Sequence, residues 1–441
     1  MFGGWGERLK KAGMILSIVF MIPFFIFLIY SFIPTRLLNE KDMKRDFDYL
    51  RDLVIETYID GKKVDDFERA WNYNLRRIRG RLPRMEFYKI VARTISVLDD
   101  DSVGVSFGVP KYMPVMPFEV FPSDDRLFVI KSAIDEIPEC SEVLEVNGEK
   151  EKDLIERLES YVSSESEKLK YLKISKLFHL LPTLDREEKY SVVLKTASGV
   201  EKISFEAPTK LEYFRDLERI GKIEKPFHFK EIGKRAYLKV STFSIYKNYI
   251  HEYHDILEKL KNFKEVVIDL RSNTGGSPSR ARELIETLIK DETSVKKIYR
   301  IKVNPYSKDT LESMGLSGKE GEIVSKDVEV IYTPKGGFEG RVTAIVDRYT
   351  MGSALEVAYI LKKAGYEVIG ERPLQKLSRN VVFTPHGLPS AGFGIHIPDG
   401  RIENETDELT PDVEINLKDL EYIFWRCSGE DRILEKVGVK K

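Results

Sequence analysis

The sequence predicts an α/β protein with a mainly parallel sheet, preceded along the chain by a membrane-spanning segment, a helical unit and a β-rich module. The main observation is that short apolar strand patterns alternate with amphipathic helix patterns from residue 226 to residue 416, which is typical of βαβ units. The length of 441 residues suggests about two to four domains. A long uncharged run near the N-terminus indicates the membrane-spanning segment.

The uncharged run predicts a membrane anchor. Residues 12–33 include no charged side chain, and about 20 apolar residues span a bilayer as a helix. The basic residues Arg8, Lys10 and Lys11 precede the run, as the positive-inside rule expects of a cytoplasmic N-terminus. No small-residue cleavage site of a signal peptide follows it.

This pattern also predicts an orientation in the cell membrane. We expect residues 1–11 in the cytoplasm, a single transmembrane helix over residues 12–34, and the rest of the chain outside the cytoplasm. The alternative interpretation of the apolar run is a buried core helix.

The composition excludes two classes of function. The formal net charge is −1, whereas a nucleic-acid partner requires a basic face. The two cysteines, Cys140 and Cys427, lie far apart and lack the spacing of a metal site. We interpret them as two free buried thiols in preference to a disulfide bond, and we expect neither a metal nor an organic cofactor.

The segment that follows the anchor is expected to form a helical unit over residues 41–110. Apolar residues recur there at three- and four-residue spacing in three stretches, which is typical of amphipathic helices. The last stretch leads to an acidic turn, Asp99-Asp100-Asp101.

Residues 112–208 predict a β-rich module with one principal helix. Segments 127–132 and 142–149 have strand patterns, and Ala197-Ser198-Gly199 joins two further strands as a hairpin. An amphipathic stretch, residues 167–181, is inserted between the helix and the hairpin.

Within the α/β core, residues 226–441, the first candidate site is the loop Asp269–Ser277. It follows a short apolar strand, and loops at the carboxyl ends of parallel strands meet at one edge of the sheet. The paired glycines Gly275 and Gly276 allow backbone N–H groups to face an anion, such as the oxyanion of a reaction intermediate. The P-loop pattern fails because no Gly-Lys-Ser/Thr ends the run. A simple strand-to-helix turn remains the alternative.

The second candidate site is Ser353, in a loop between a predicted strand and the helix that begins at Ala354. A serine at a helix N-terminus lies near unpaired N–H groups and the positive end of the helix dipole, which favours a nucleophile. The alternative is structural, because Ser353-Ala354-Leu355-Glu356 also matches a capping box. The local pattern alone favours the cap.

A nucleophilic serine needs a base, and the local sequence offers two weak candidates. No histidine lies in a recognisable triad pattern, although His386 follows a strand and could approach the active edge. Lys376 lies in the loop after the next strand, and a desolvated lysine can lose its proton near neutrality. Most lysines are solvated surface charges, so spacing alone does not decide whether Lys376 is the base.

Three motifs in order resemble the core of the C-terminal processing (tail-specific) serine peptidases, which are related to the tricorn core. They are VVIDLRSNTGG, then VTAIVDRYTMGSALEVAYILKKAGYEVIGE, then IPDGRIEN followed by LTPDVEI. Upstream, VMPFEVFPSDDRLFVIKS and IPECSEVLEVNGE are similar to the PDZ-like domain of these enzymes, and SVLDDDSVGV is similar to the acidic turn that ends their helical region. The resemblance covers about 350 residues, and it implies a ClpP/crotonase-like core.

The resemblance assigns roles to particular residues. Ser353 corresponds to the nucleophile, Gly275 and Gly276 to the oxyanion region, and the Ala354 N–H to a second oxyanion donor. Lys376 corresponds in position to the base of the Ser/Lys members, although Gln375 and Leu377 replace the glycines that flank that lysine.

One departure concerns the tricorn-like members, in which a histidine after the acidic turn is the base. Ser102 occupies that position here. The resemblance therefore implies a membrane-anchored endopeptidase with a Ser353/Lys376 dyad, acting on polypeptides and on their C-terminal tails. The alternatives are an inactive pseudopeptidase that only binds peptides, and an acyl-CoA enzyme of the crotonase type.

Overall fold

A computed structural model describes residues 36–429 and 431–436 of the chain. The predicted cytoplasmic segment, residues 1–11, and the predicted anchor, residues 12–34, lie outside these described residues. Within the described ranges, no helix is both long enough and apolar enough to cross a bilayer.

The N-terminal unit is helical, as its apolar spacing predicts. Asn39 begins the first helix by accepting the N–H of Asp42 at 2.8 Å, and one face of this helix buries Phe47 and Leu50. Its elements are β1 (Leu37–Asn39), α1 (Glu40–Thr57), a 3-10 turn (Gly61–Lys63), α2 (Val64–Leu75), β2 (Arg81–Pro83), α3 (Arg84–Ser96) and β3 (Gly104–Ser106). β1 pairs with β2 antiparallel.

The β-rich module is an antiparallel sheet with strand order β4-β5-β6-β8-β9, and β7 pairs with β6. Its strands are β4 (Phe118–Ser123), β5 (Arg126–Ser132), β6 (Glu142–Val146), β7 (Glu149–Lys150), β8 (Lys189–Thr196) and β9 (Gly199–Glu206). Its helices are α4 (Glu151–Glu159), α5 (Glu167–His179) and α6 (Leu181–Asp185). The predicted hairpin is confirmed, since Thr196 pairs with Gly199 across the turn.

The inserted helix α5 covers one outer edge of the module's sheet. It packs along β4, where the Ser175 hydroxyl donates to the Val120 carbonyl at 2.5 Å. The opposite outer strand, β9, is largely exposed. Of the two edges, only β9 is therefore open to another strand in the described structure.

The core has a six-stranded sheet with the order β10-β11-β12-β15-β16-β21. The strands from β11 to β21 are parallel, which confirms the predicted parallel sheet, and β10 adds an antiparallel edge. Its strands are β10 (Phe227–Ile232), β11 (Arg235–Val240), β12 (Glu265–Asp269), β15 (Arg341–Val346), β16 (Glu367–Gly370) and β21 (Val413–Glu414).

Helices and a second sheet complete the core. The helices are α7 (Lys210–Arg219), α8 (Ile250–Leu260) after a 3-10 turn (Lys247–Tyr249), α9 (Pro278–Leu288), α10 (Lys308–Met314), α11 (Gly352–Lys363), α12 (Asp419–Ser428) and α13 (Arg432–Lys436). The further strands are β13 (Thr293–Lys302), β14 (Ile323–Tyr332), β17 (Arg379–Val381), β18 (His386–Leu388), β19 (Phe393–His396) and β20 (Gly400–Asn404). The second sheet has the order β14-β13-β20-β17, whereas β18 and β19 pair with β3 of the helical unit.

The interpretation of the cysteines as free thiols was wrong. Cys140 and Cys427 form a disulfide bond, with their Cα atoms 5.4 Å apart and a sequence separation of 287. The bond joins the β5–β6 loop of the module to helix α12. Residue spacing could not predict this pairing, because it depends on how two distant segments pack.

We therefore expect no reactive thiol in denatured, unreduced protein, and two after reduction, as measured by a thiol-specific reagent. Replacing both cysteines by serine should lower the free energy of unfolding by about 2–5 kcal/mol, because the cross-link restricts the unfolded chain. A thiol signal before reduction would contradict the pairing.

Candidate active site

The two candidate loops meet at the carboxyl edge of the central sheet. β12 and β15 are parallel neighbours with Asp269 opposite Ile345, so both chains leave the sheet on the same side. The fully buried carboxylate of Asp347 accepts the backbone N–H of Ser272 at 2.9 Å and its hydroxyl at 3.0 Å. This carboxylate holds the glycine loop (residues 269–277) against the serine loop (residues 347–353).

A glycine with left-handed backbone geometry precedes Ser353. Gly352 has a φ of 55°, and a Cβ at this position would lie 3.2 Å from the carbonyl oxygen of Thr274. The N–H of Met351 donates to the carbonyl of Asn273 at 2.9 Å. The turn that presents the predicted nucleophile Ser353, residues 351–353, is named the nucleophile turn, and it is thus bonded directly to the glycine loop. Glycine is the residue that tolerates both the angle and the close approach at position 352.

Ser353 does not act as a helix cap. Helix α11 begins at Gly352, and no side chain caps it at Met351. The Ser353 hydroxyl, in a residue that is 7% exposed, donates instead to the Gly276 carbonyl at 2.9 Å. Glu356, the other half of the capping-box pattern, accepts from Lys297 Nζ at 2.6 Å. The fold therefore does not use Ser353 as the capping residue of a capping box.

The N–H of Gly276 is the backbone donor best placed for an oxyanion. Phe243 donates its N–H to the Gly275 carbonyl at 2.8 Å and accepts the N–H of Ser277 at 3.3 Å. In such a parallel pairing the N–H and C=O of the middle residue face the opposite side. Both groups of Gly276 therefore face Ser353, and this N–H has no hydrogen-bond partner in the described part of the chain.

The other two predicted oxyanion donors have local partners. The Gly275 N–H donates to Asn273 Oδ1 at 2.8 Å, and the Ala354 N–H donates to the Met351 carbonyl at 3.1 Å. Gly275 nevertheless lies directly against the nucleophile turn, since a Cβ on it would be 3.0 Å from the backbone nitrogen of Ser353. The structure thus brings Gly275, Gly276 and Ala354 together at Ser353. Of their three backbone N–H groups, only that of Gly276 has no hydrogen-bond partner among the described residues.

Lys376 lies in the loop that contacts the nucleophile turn, but its side chain is exposed. It makes no hydrogen bond or ion pair with any described residue. Desolvation raises the pKa of the Glu165 carboxyl, and the positive charge of Lys376 partly opposes that rise. These two groups therefore lie within electrostatic range of each other. The direct contact with the nucleophile turn comes from the preceding residue, Gln375, whose Oε1 accepts the Gly352 N–H at 2.7 Å.

Ser102, which replaces the histidine of the tricorn-like members, donates its hydroxyl to the Asn380 carbonyl at 2.6 Å. The other candidate base, His386, has its Nδ1 3.2 Å from the Tyr49 hydroxyl. Burial lowers the pKa of His386. No histidine of the described residues is hydrogen-bonded to Ser353, and no cluster of His, Cys, Asp or Glu in the same ranges is arranged to hold a metal ion.

Known proteins resemble this arrangement. The family model described as Peptidase family S41 matches residues 234–415. The structure titled mature CPAF complexed with lactacystin is 14% identical, with 90% of this chain and 97% of that chain covered and a TM-score of 0.59. Mature CPAF is 14% identical, with 87% and 94% covered and a TM-score of 0.57. The photosystem II D1 C-terminal processing protease is 15% identical, with 85% and 93% covered and a TM-score of 0.46. None of the curated protein sequences matches the chain significantly.

The α/β core and its serine turn at the carboxyl edge of the sheet define a serine-type peptidase. Residues 234–415, the segment that holds both candidate loops, match the model of peptidase family S41, and the motifs of this segment resemble those of the C-terminal processing peptidases.

Gly276→Ala provides a test of the site geometry. A Cβ at Gly276, where φ is 130°, would lie 2.3 Å from the backbone nitrogen of Ser244, so the variant should lose about 3 kcal/mol or more of unfolding free energy. In the matched control, Gly315→Ala, φ is 65° but the space is open, and the loss should be about 1 kcal/mol. Chemical denaturation measures both, and equal losses would contradict the close packing of Gly276 against Ser244.

Proposed function

We propose that this protein is a membrane-anchored endopeptidase that hydrolyses polypeptides outside the cytoplasm through an acyl-enzyme on Ser353. The observation that carries the proposal is the pairing of the Ser353 hydroxyl with Gly276, whose unbonded N–H faces the same side. A nucleophile beside a backbone donor at a helix N-terminus is the arrangement that acyl transfer requires.

The chemistry follows from these groups. When a peptide enters, the Ser353 hydroxyl leaves the Gly276 carbonyl and attacks the scissile carbonyl, while its proton passes to the base. The developing oxyanion accepts the Gly276 N–H. The base returns the proton to the leaving amine, and a water molecule then attacks the acyl-enzyme in the same way to release Ser353 and the second product.

We assign the base to Lys376. Its loop is bonded to the nucleophile turn through Gln375, and no described histidine is bonded to Ser353. The Lys376 side chain is exposed to solvent. A bound polypeptide that covers it would remove water from the ammonium group, which favours its neutral form.

The assignment predicts the effect of three substitutions on turnover of an unfolded polypeptide. Ser353→Ala and Lys376→Ala should each remove nearly all activity, and the double variant should be no worse, because residues that act as a unit are not additive. Lys376→Arg should also be inactive, since the guanidinium stays protonated. Ser353→Ala should cost only about 1 kcal/mol of stability, for one lost hydrogen bond.

The control for these substitutions is Lys319→Ala, at an exposed lysine outside the site, which should retain wild-type turnover. Full activity of Lys376→Ala together with an inactive Ser353→Ala would show that the base is a group other than Lys376. A wild-type protein that binds polypeptides and cleaves none would make it a pseudopeptidase.

The proposed location outside the cytoplasm is supported by the uncharged run at residues 12–33, by the basic residues Arg8, Lys10 and Lys11 before it, and by the disulfide bond, which persists in oxidising compartments. Protease added to spheroplasts should therefore digest the domain after residue 40. Protection of that domain until the membrane is lysed would reverse the orientation.

We further propose that the PDZ-like module, residues 112–208, binds substrate tails as an added strand. Because α5 covers β4, the edge available for this is β9 (Gly199–Glu206). A free peptide with an apolar C-terminus should slow cleavage of a tailed substrate several-fold and leave a tail-capped substrate unaffected. Equal inhibition of both substrates, measured in parallel, would remove tail recognition from the proposal.

A further inference from the structure

We infer that Gln375 is a positioning residue for Ser353, holding the nucleophile turn and the Lys376 loop in their reactive arrangement; this inference rests on the proposed function. The side-chain oxygen of Gln375 accepts the N–H of Gly352 at 2.7 Å. Gly352 directly precedes Ser353, so this bond acts on the backbone of the nucleophile itself.

The bonded N–H needs a partner from outside the helix. Gly352 is the first residue of α11, and the first N–H groups of a helix have no intrahelical acceptor. Its φ of 55° is a local geometry that neighbouring contacts must maintain. The amide of Gln375 supplies such a contact, and it does so one residue away from the reacting oxygen.

The same bond is one of several that attach the 371–376 loop to the serine loop. The Arg348 guanidinium donates to the buried carboxylate of Glu371 at 3.0 Å, and the Leu374 N–H donates to the Arg348 carbonyl at 2.9 Å. Gln375 makes the contact nearest Ser353, and Lys376 follows it in the chain. Losing this bond would release both the nucleophile turn and the neighbouring lysine.

The residue type is itself informative. Gln375 is the single glutamine among 441 residues, in a chain with 72 aspartates and glutamates. A glutamate would accept the same hydrogen bond, but its charge would oppose the oxyanion that forms beside Ser353. A neutral amide keeps the acceptor without that repulsion.

The test is the rate at which a fluorophosphonate labels Ser353 in the full-length protein, followed by mass spectrometry across a range of pH. Gln375→Ala should label about 10- to 100-fold more slowly, because a small displacement of a nucleophile is costly. With a peptide substrate, its kcat should fall while KM stays within about twofold. Gln375→Glu should keep the wild-type melting temperature, label more slowly, and reach its half-maximal rate at a higher pH, because a nearby carboxylate favours the protonated form of the base.

The matched control is Asn39→Ala. Asn39 also accepts a backbone N–H through its amide oxygen, from Asp42 at 2.8 Å, at the start of helix α1 in the N-terminal unit. Its loss should lower the free energy of unfolding and leave the labelling rate unaltered.

The outcomes separate the two proposals. Equal labelling of wild type and Gln375→Ala overturns the role of Gln375 and leaves the peptidase proposal standing. An unlabelled wild type overturns both. If Gln375→Ala does not fold, Gln375→Glu decides, since an unchanged rate and pH profile in that variant overturns the inference.

Discussion

The buried carboxylate of Asp347 is the group on which the geometry of the site depends. One oxygen accepts the N–H groups of Ser272 and Tyr349 and the hydroxyl of Thr350, and the other accepts the hydroxyls of Ser272 and Tyr422. A carboxylate without exposure to water is stable only with such a full set of donors. Because these donors come from both loops, satisfying the charge also fixes the distance between the glycine loop and the serine loop.

Helix α12 extends this network to the rest of the molecule. Tyr422 of α12 contacts Asp347 through its hydroxyl and packs its ring 5.7 Å from that of Phe121 in the β-rich module. Arg426, one turn later, donates to the Ser272 hydroxyl at 3.1 Å. The Cys140–Cys427 bond joins the end of the same helix to the module. The module and the site are therefore connected through one helix, which gives a physical route by which a change in the module could reach the loops.

Ser353, the proposed nucleophile, is hydrogen-bonded within the site. The Ser353 proton is directed to the Gly276 carbonyl, and exchanging one such hydrogen bond costs about 1 kcal/mol. That barrier is small compared with the chemistry that follows. In the proposed mechanism, the larger requirement is the removal of water from Lys376, which a bound polypeptide would supply. Under that proposal, substrate occupancy would set when the serine becomes reactive.

The amino-acid sequence by itself determined that strands and helices alternate in the core, and it singled out Ser353, Gly275 and Gly276, because periodicity and glycine placement act over a few residues. It also carried the family motifs. The tertiary structure alone decided that Cys140 pairs with Cys427, that Gln375 touches the nucleophile turn, and that Gly276 keeps an unbonded N–H while Gly275 does not. The long strand β13 escaped prediction as well, since its charged residues hide the alternation and its stability comes from pairing with β14 and β20. These features share one cause: each depends on contacts between segments far apart in the chain, which no local pattern encodes.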